Sequence, residues 1–525
     1  MRVVMAAAEN AALRGGKVGG LADAVAGSAA GLARLGCRVA VVTPAYGFLH
    51  RLNPARPLAE VAFPFGGGEE RAALFELRPA AGAHPGVRHL VIDHPAFSEG
   101  AARREIYRRD PPQAPFATDA TRFARFAAAF CRALASGALG GVEVLHLHDW
   151  HTGWILLLRR CDPGLRAPAG PRTVFSIHNL ALQGIRPFAG DPSSLCAWFP
   201  HLSFPRAEIA DPRWPHCVNP MAAGIRFADT VHTVSPSYAR DILLPSDPPR
   251  FYGGEGLEAD LQAAAAEGRL HGILNGAPEE DPPAGAEPDA LEAHGETLRE
   301  AVRGWAGGAA AVPGVHFVAH GRLEEISRRG LRPRPLLTAV TRVVPQKLFL
   351  LQAPADDGRP ALEHLLDRIE PEGRFLLLGA GDPGDEGFLA ATAARRRGLI
   401  FLNGYAEEAA RALYRAGDLF LMPSSFEPCG IGQMRAMAAG QPCLVHLVGG
   451  LRDTVRPGVN GFGFTGRTVA EQVRGLLGAC DEALELLRRR PREWEALRRR
   501  AAGTRFSWEE AARAYLEWLY RPRPA

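Results

Sequence analysis

Apolar residues run in short blocks, each closed by polar ones. "RVVMAAAE" reads as a buried strand, a glycine-rich loop follows, and "LADAVAGSAAGLARLG" has the spacing of an Ala/Leu helix stopped at Gly36. "CRVAVVTP" is the next buried strand, so the chain opens β-loop-α-β, the start of a doubly wound parallel sheet. "VRHLVID", "VEVLHLHDW", "RTVFSIHN" and "DTVHTVS" continue the series, and each ends in polar residues where such sheets hold ligands. A second series begins near "LHGILNG" and runs through "PLLTAVTRV", "GRFLLLGAGD", "GLIFLNGY", "DLFLMPSS" and "QPCLVHLVGG". The pattern predicts an α/β protein of two tandem units. Residues 277–314, rich in Pro, Gly and acid, predict surface loops plus one helix. "FSWEEAARAYLEWLY", residues 506–520, predicts a terminal amphipathic helix opened by a capping box at Ser507.

Composition narrows the class. With 525 residues, 47% apolar and 22% charged, the chain suits a soluble globular protein of two or three domains. A net charge of +4 from 61 basic and 57 acidic residues excludes a strongly basic nucleic-acid binder. Eight cysteines without a C-x-x-C pair suggest neither a disulfide framework nor a zinc ribbon, which points to a reducing cytoplasm. The N-terminal apolar run reaches Glu9 too soon for a signal peptide, and no stretch is apolar enough to span a bilayer.

Six stretches carry candidate chemistry. In "GGKVGGLADA", Gly19 and Gly20 precede a helix whose N–H groups suit an anion, and Lys17 adds a charge; a tight strand-to-helix turn is the alternative. Val18 stands where a Walker A loop needs Ser or Thr. "HLHDWHTGW" gathers His146, His148, Asp149 and His151, either a metal cluster or, better, a polar strand end with Asp149 as its functional group. "FSIHNLALQG" puts His178 and Asn179 at another strand end. "TRVVPQK" brackets a Pro turn with Arg342 and Lys347, a clamp for a diphosphate or plain surface charge. Gly379, Gly381 and Gly384 form a literal G-x-G-x-x-G, but the next strand offers Asn403 where a dinucleotide site needs an acid. Finally "PSSFEPCGIGQ" sets one carboxylate, Glu427, in a bend before Cys429-Gly430, with a second Gly-Gly turn at Gly449 and Gly450 whose N–H groups suit an anion.

In combination these motifs resemble the bacterial glycogen and starch synthases, nucleotide-sugar glucosyltransferases of the GT-B architecture, glycosyltransferase family 5. "KVGGLADAV", "HLHDWHTGW", "TVFSIHNLALQG", "GIRFADTVHTVSPSYAR", "GGEGLEADLQ", "GRLHGILNG", Arg342 to Lys347, "GAGD", "PSSFEPCGIGQ" and "GGLRDTV" follow in family order from residue 17 to 455. The resemblance implies two facing Rossmann-like domains with a cleft between them, 1–275 and 276–504, with 505–525 packing back on the first. It implies that Lys17, Gly19, Gly20, Arg342 and Lys347 surround the donor's phosphates. Asp149 and His178 then lie at the donor sugar, and Glu427 hydrogen-bonds the transferred glucose beside the backbone of Cys429 and Gly430. The implied reaction is retaining transfer of α-glucose from ADP-glucose to the non-reducing end of an α-1,4-glucan such as glycogen or a maltooligosaccharide, without a metal. A UDP-glucose-dependent or other-acceptor enzyme, a non-catalytic glucan-binding relative, an NAD oxidoreductase and a zinc hydrolase are the alternatives. Val344, Leu348 and Val448 replace the Thr, Gly and Thr common among relatives, and Arg435 holds the slot of a second Glu found across the wider group.

Overall fold

The computed structural model describes residues 1–99, 104–165, 170–277, 291–308 and 312–521. Its contacts divide the chain into two units. The first comprises Met1–Ser246, Gly253–Pro278 and Ser507–Ala525; the second comprises Asp247–Tyr252 and Glu279–Phe506.

The first unit is built on a nine-stranded sheet. In chain order its strands are β1 (Arg2–Ala6), β2 (Arg38–Pro44), β3 (Ala55–Phe65), β4 (Gly68–Leu77), β5 (Val87–Asp93), β6 (Val144–His148) and β7 (Arg172–Ile177). A two-stranded ribbon of β8 (Arg186–Pro187) and β9 (Cys217–Val218) intervenes before β10 (Thr230–Thr233) and β11 (Leu270–Gly272). The spatial order is β11-β10-β7-β6-β1-β2-β5-β4-β3, with only β3 and β4 antiparallel to their neighbours. The predicted strands all form. The "LHGILNG" segment, expected to open the second series, instead pairs with β10 at the edge of this first sheet. The β3–β4 hairpin is an addition that the apolar pattern does not announce.

Six parallel strands make the second sheet: β12 (Leu336–Val340), β13 (Arg374–Gly379), β14 (Leu399–Asn403), β15 (Leu419–Met422), β16 (Cys443–His446) and β17 (Gly461–Phe464), ordered β14-β13-β12-β15-β16-β17. Both faces are buried, which is why these strands read as unbroken apolar runs. In β13, Phe375 and Leu377 enter one core and Leu376 and Leu378 the other. Of the stretch expected to be loops and one helix, residues 278–290 lie outside the described residues. A helix, Leu291–Gly307, and a second, Gly314–Arg329, follow and bury Leu298, Val302, Leu323 and Ile326 against the second of these cores.

Each sheet reverses its winding at one place. In the first, the chain goes outward from β1 to β2 and β5, then returns to place β6 on the other side of β1; in the second, β12 and β15 are the neighbours. Such switch points open a crevice at the carboxyl ends of the two strands, where neighbouring loops leave in opposite directions.

The C-terminal segment belongs to the first unit. Trp508–Ala514 is helical and Tyr515–Leu519 continues as a wider π turn. Trp508 lies on the small-residue face of the helix Gly20–Arg34: a Cβ at Gly27 would sit 2.2 Å from the indole, and one at Gly31 2.5 Å from the Trp508 carbonyl. The expected cap forms in a variant way, with Ser507 Oγ accepting from the Glu509 N–H at 3.0 Å.

Candidate active site

At the first switch point, the loop leaving β1 carries Glu9 and the glycine-rich turn. Glu9 Oε2 accepts from the N–H groups of Val18 (2.6 Å) and Gly19 (2.7 Å), and Oε1 accepts from the Tyr107 hydroxyl at 2.7 Å. A carboxylate of the protein therefore fills the amide cradle expected to face an anion. Lys17 Nζ pairs with Asp23 Oδ1 at 2.9 Å. A Cβ at Gly20 would meet nothing within 4 Å, and one at Gly19 only Glu9 Oε1 at 3.8 Å, so packing within the protein demands neither glycine.

The adjoining strand β6 ends at Asp149, whose φ of 58° and ψ of 179° lie in a region that is essentially reserved for glycine. Such strain, of order ~1–3 kcal/mol, persists only where surroundings impose it, and it clusters at functional sites. Here the peptide is pinned on both sides: Asp149 N–H donates to the Ser176 carbonyl (2.8 Å), and Asp149 Oδ1 accepts from the His178 N–H (2.7 Å). Burial pushes the Asp149 carboxyl up to about 7, opposed by the N–H groups of His178 and Asn179 and reinforced by the charge of Glu9.

Beneath it runs a chain of hydrogen bonds. His232 Nε2 faces the Ile273 carbonyl (3.5 Å), which can only accept, so His232 Nδ1 is bare and accepts from Ser176 Oγ (2.7 Å). Ser176 in turn accepts from His146 Nε2–H (2.6 Å), and His146 Nδ1 accepts from the Tyr520 hydroxyl (2.7 Å). Every proton in this relay is thereby assigned, and it ties the C-terminal segment to the sheet. Burial holds His146, His148, His178 and His232 well below the ordinary imidazole value, so all four are neutral. Both His146 nitrogens are spent, which removes it from any metal set. Among the described residues no group of three or more His, Cys, Asp or Glu is arranged to hold a metal ion.

At the second switch point, the loop after β12 carries Arg342, the helix that follows it, Pro345–Gln352, carries Lys347, and the loop after β15 carries Glu427. Lys347 Nζ donates to Glu427 Oε2, and both side chains are nearly buried. Ser424 Oγ donates to the same oxygen at 3.3 Å. Burial, and then the charge of Arg342, push the Lys347 ammonium down to about 7. Arg342 itself is exposed and has no acidic partner among the described residues. Gln346, to which no local motif gives a role, sews the helix start to the Glu427 loop: its side-chain N–H donates to Phe426 O (2.9 Å) and its main-chain carbonyl accepts from Ser425 N–H (2.8 Å).

The glycine triplet supports this loop rather than a dinucleotide. A Cβ at Gly379 would stand 1.9 Å from Thr341 O and one at Gly381 2.2 Å from Val343 O, so the glycines let β13 close on the backbone around Arg342. The N–H groups of Gly381 and Gly384 are taken by Glu386 (2.6 Å) and Asp382 (2.9 Å). Val344 begins the helix Pro345–Gln352 without a side-chain cap, the cost of lacking a Thr hydroxyl, and Leu348 is buried in the core. Gly449 (φ +45°) and Gly450 pack on the Glu427 turn, where added Cβ atoms would lie 2.0 Å from Glu427 O and 2.4 Å from Cys429 Cα. The Gly450 N–H, expected to face an anion, donates to Glu427 O at 3.0 Å. Gly430 (φ +77°) lets the chain turn after Cys429, whose carbonyl accepts from Gln433 at 3.1 Å. Arg435, in the slot of the second Glu, donates to Glu407 Oε1 at 2.7 Å.

Two Rossmann-like units, one with a cation pair beside a carboxylate at its switch point, are the build of the glycosyltransferases of the GT-B class, and comparison with known proteins bears this out. The family profile described as the starch synthase catalytic domain matches residues 2–263, and that of glycosyl transferases group 1 matches residues 357–482. The glycogen synthase of Anaeromyxobacter sp. (strain Fw109-5) is 35% identical over 517 residues, 96% of each chain, and that of Thermus thermophilus 35% over 524 residues, 99% of each. The solved catalytic domain of starch synthase IV from Arabidopsis thaliana, bound to ADP and acarbose, superposes with a TM-score of 0.73 at 27% identity, covering 99% of this chain and 98% of that one. Sucrose-phosphate synthase from Thermosynechococcus elongatus shares the fold at 17% identity and a TM-score of 0.55. The chain belongs to the glycogen and starch synthase family of glycosyltransferases. No helix among the described residues is long and apolar enough to cross a membrane.

Proposed function

We propose that the protein transfers α-glucose from ADP-glucose to the non-reducing end of an α-1,4-glucan with retention of configuration. The observation that carries the donor reading is Arg342: an exposed guanidinium with no acidic partner among the described residues, close enough to a nearly buried Lys347 to depress its pKa. Glu427 balances only one of these two cations, and a diphosphate supplies negative groups for both. The ADP bound to the related Arabidopsis domain supports an adenine nucleotide as the leaving half of the donor.

Cleavage of the anomeric bond puts negative charge on the diphosphate and positive charge on the sugar. Arg342 and Lys347, with Lys17 as a third cation, stabilise the first without a metal, through charges already in place before the reaction. Glu427 accepts hydrogen bonds from glucose hydroxyls and offsets the positive sugar, while Asp149 and His178 orient it. The turn of Gly19 and Gly20 and the backbone of Cys429, Gly430, Gly449 and Gly450 complete the assigned donor contacts. The donor displaces Glu9 from the Gly19 N–H, and the Gly450 N–H remains on the Glu427 carbonyl, so that Gly450 acts by shaping the turn. Entry of the diphosphate exchanges one partner of Lys347 for another and frees Glu427 for the sugar. We assign residues 1–275 and 276–504 as the two catalytic domains and 505–525 as the returning segment. Eight free cysteines support a cytoplasmic home.

The test is incorporation of glucose into glycogen or a maltooligosaccharide by purified, EDTA-treated protein, with ADP-glucose and UDP-glucose supplied separately. Incorporation from ADP-glucose that disappears in Glu427→Ala supports the proposal. Incorporation from UDP-glucose alone overturns the donor, and none from either donor with folded protein overturns the activity.

A further inference from the structure

We propose that His148 is a positioning residue: its contact with His178 fixes the tautomer of that imidazole so that His178 presents Nδ1–H, and not a bare nitrogen, to the donor sugar. This rests on the assignment of His178 to the sugar made above. The starting observation is a pair of imidazole nitrogens, His148 Nδ1 and His178 Nε2, 3.0 Å apart. Both rings are neutral, so one and only one of these two nitrogens carries a proton, and the choice sets the other nitrogen of each ring.

The far side of His148 decides between the two arrangements. Its Nε2 is buried and has no hydrogen-bond partner among the described residues. If His178 donated, His148 Nε2 would have to carry its proton into this site and leave a buried N–H unsatisfied, which costs the full desolvation penalty of a donor. If His148 Nδ1–H donates, only a lone pair is left unpaired there, and the proton of His178 resides on Nδ1. Among the described residues no other group hydrogen-bonds His178 Nδ1, so this N–H is available to a ligand.

The neighbours prevent His148 from turning to escape the choice. Its ring stacks on His146 with centroids 4.4 Å apart and planes at 22°, and His146 is itself gripped by Tyr520 and Ser176. The His148 carbonyl accepts from Thr152 Oγ1 at 3.0 Å, which anchors the strand end. His178 is held from its backbone by Asp149. Both partners therefore meet in one geometry, and a donor N–H aimed at a hydroxyl oxygen is set before the sugar arrives.

Protein labelled with 15N in its histidine rings reports each tautomer through long-range 1H–15N correlations. In the wild-type chain His178 is expected with a protonated Nδ1 and a bare Nε2. In H148F the proton is expected to redistribute toward Nε2, with kcat down about tenfold, the value of one net hydrogen bond, and the donor KM changed less than about twofold. H148N places an amide N–H where His148 Nδ1 was, and should restore both tautomer and rate. A wild-type His178 protonated on Nε2 overturns the proposal even if H148F fails to fold, and so does a His178 tautomer unaltered in folded H148F. Full turnover in H178A, with the wild-type tautomer as expected, overturns the sugar assignment and leaves the tautomer lock as a structural fact.

Discussion

At the first switch point four imidazoles are held neutral and the carboxyl of Asp149 is pushed up to about 7, whereas at the second Arg342 stands beside a buried Lys347 paired with Glu427. The histidines of the first site are uncharged hydrogen-bonding groups, with the charges of Glu9 and of the Lys17–Asp23 pair in the neighbouring loop; the second site is built of formal charges, an ion pair with a second cation beside it. The glycines differ in the same sense. Gly449 and Gly450 are needed for the turn itself, while Gly20 faces open space. The proposed function assigns the histidines to an uncharged sugar and the cations to an anionic leaving group.

The comparison is most easily broken at Glu427. Replacing it with Gln keeps the shape but removes the charge that pairs Lys347 and that the proposal sets against the sugar, and kcat should fall by about 10²–10³, measured as glucose incorporation at saturating donor. A loss under about fivefold would mean that the charge is not used.

Asp149 tests the neutral site through pH. Its folded pKa of about 7 lies above the ordinary carboxylate value near ~4, so the folded state binds the proton more tightly. The stability linked to that proton is complete below about pH 4 and is lost as pH rises to about 7. Wild type and Asp149→Asn should therefore have equal urea stability near pH 4. Above pH 7 the wild type should be the weaker, by up to about 4 kcal/mol. Parallel curves would show that the carboxyl titrates normally.

Gly449→Ala should cost about 2 kcal/mol, since it adds a Cβ 2.0 Å from Glu427 O at a φ of +45°, while Gly20→Ala should leave the melting temperature unaltered. Thermal melts of the two variants side by side separate a structural glycine from one kept clear for a ligand. Tyr520→Phe strips the hydroxyl that His146 Nδ1 accepts from and should destabilise by about 1–2 kcal/mol, read by denaturant titration, with kcat changed little.

Much of the architecture was legible because parallel strands buried on both faces leave unbroken apolar runs, as "RFLLLG" does at β13. The β3–β4 hairpin was not, since its strands are half exposed and carry Pro57, Pro64 and several charges. Its one local signal was Gly66-Gly67, both at positive φ, the turn that a tight hairpin favours. β11 was assigned to the wrong series because a three-residue edge strand takes its partner from the sheet and not from its own pattern. Arg342, Lys347 and Glu427 were readable from local motifs. Glu9 could be seen as an acid after the first strand, but its partner Tyr107 lies 98 positions away, and the relay joins Tyr520 to His146 across 374. Contacts of that span exist only once the sheet has formed.

The division of labour is tested most directly by titrating ADP, the donor's leaving half, into Lys347→Ala and His178→Ala by calorimetry, with turnover measured on the same samples. The account predicts that both variants lose turnover, but that ADP affinity falls about tenfold or more in Lys347→Ala and stays within about twofold of wild type in His178→Ala. Equal loss of ADP affinity in the two variants, or none in Lys347→Ala, would contradict it.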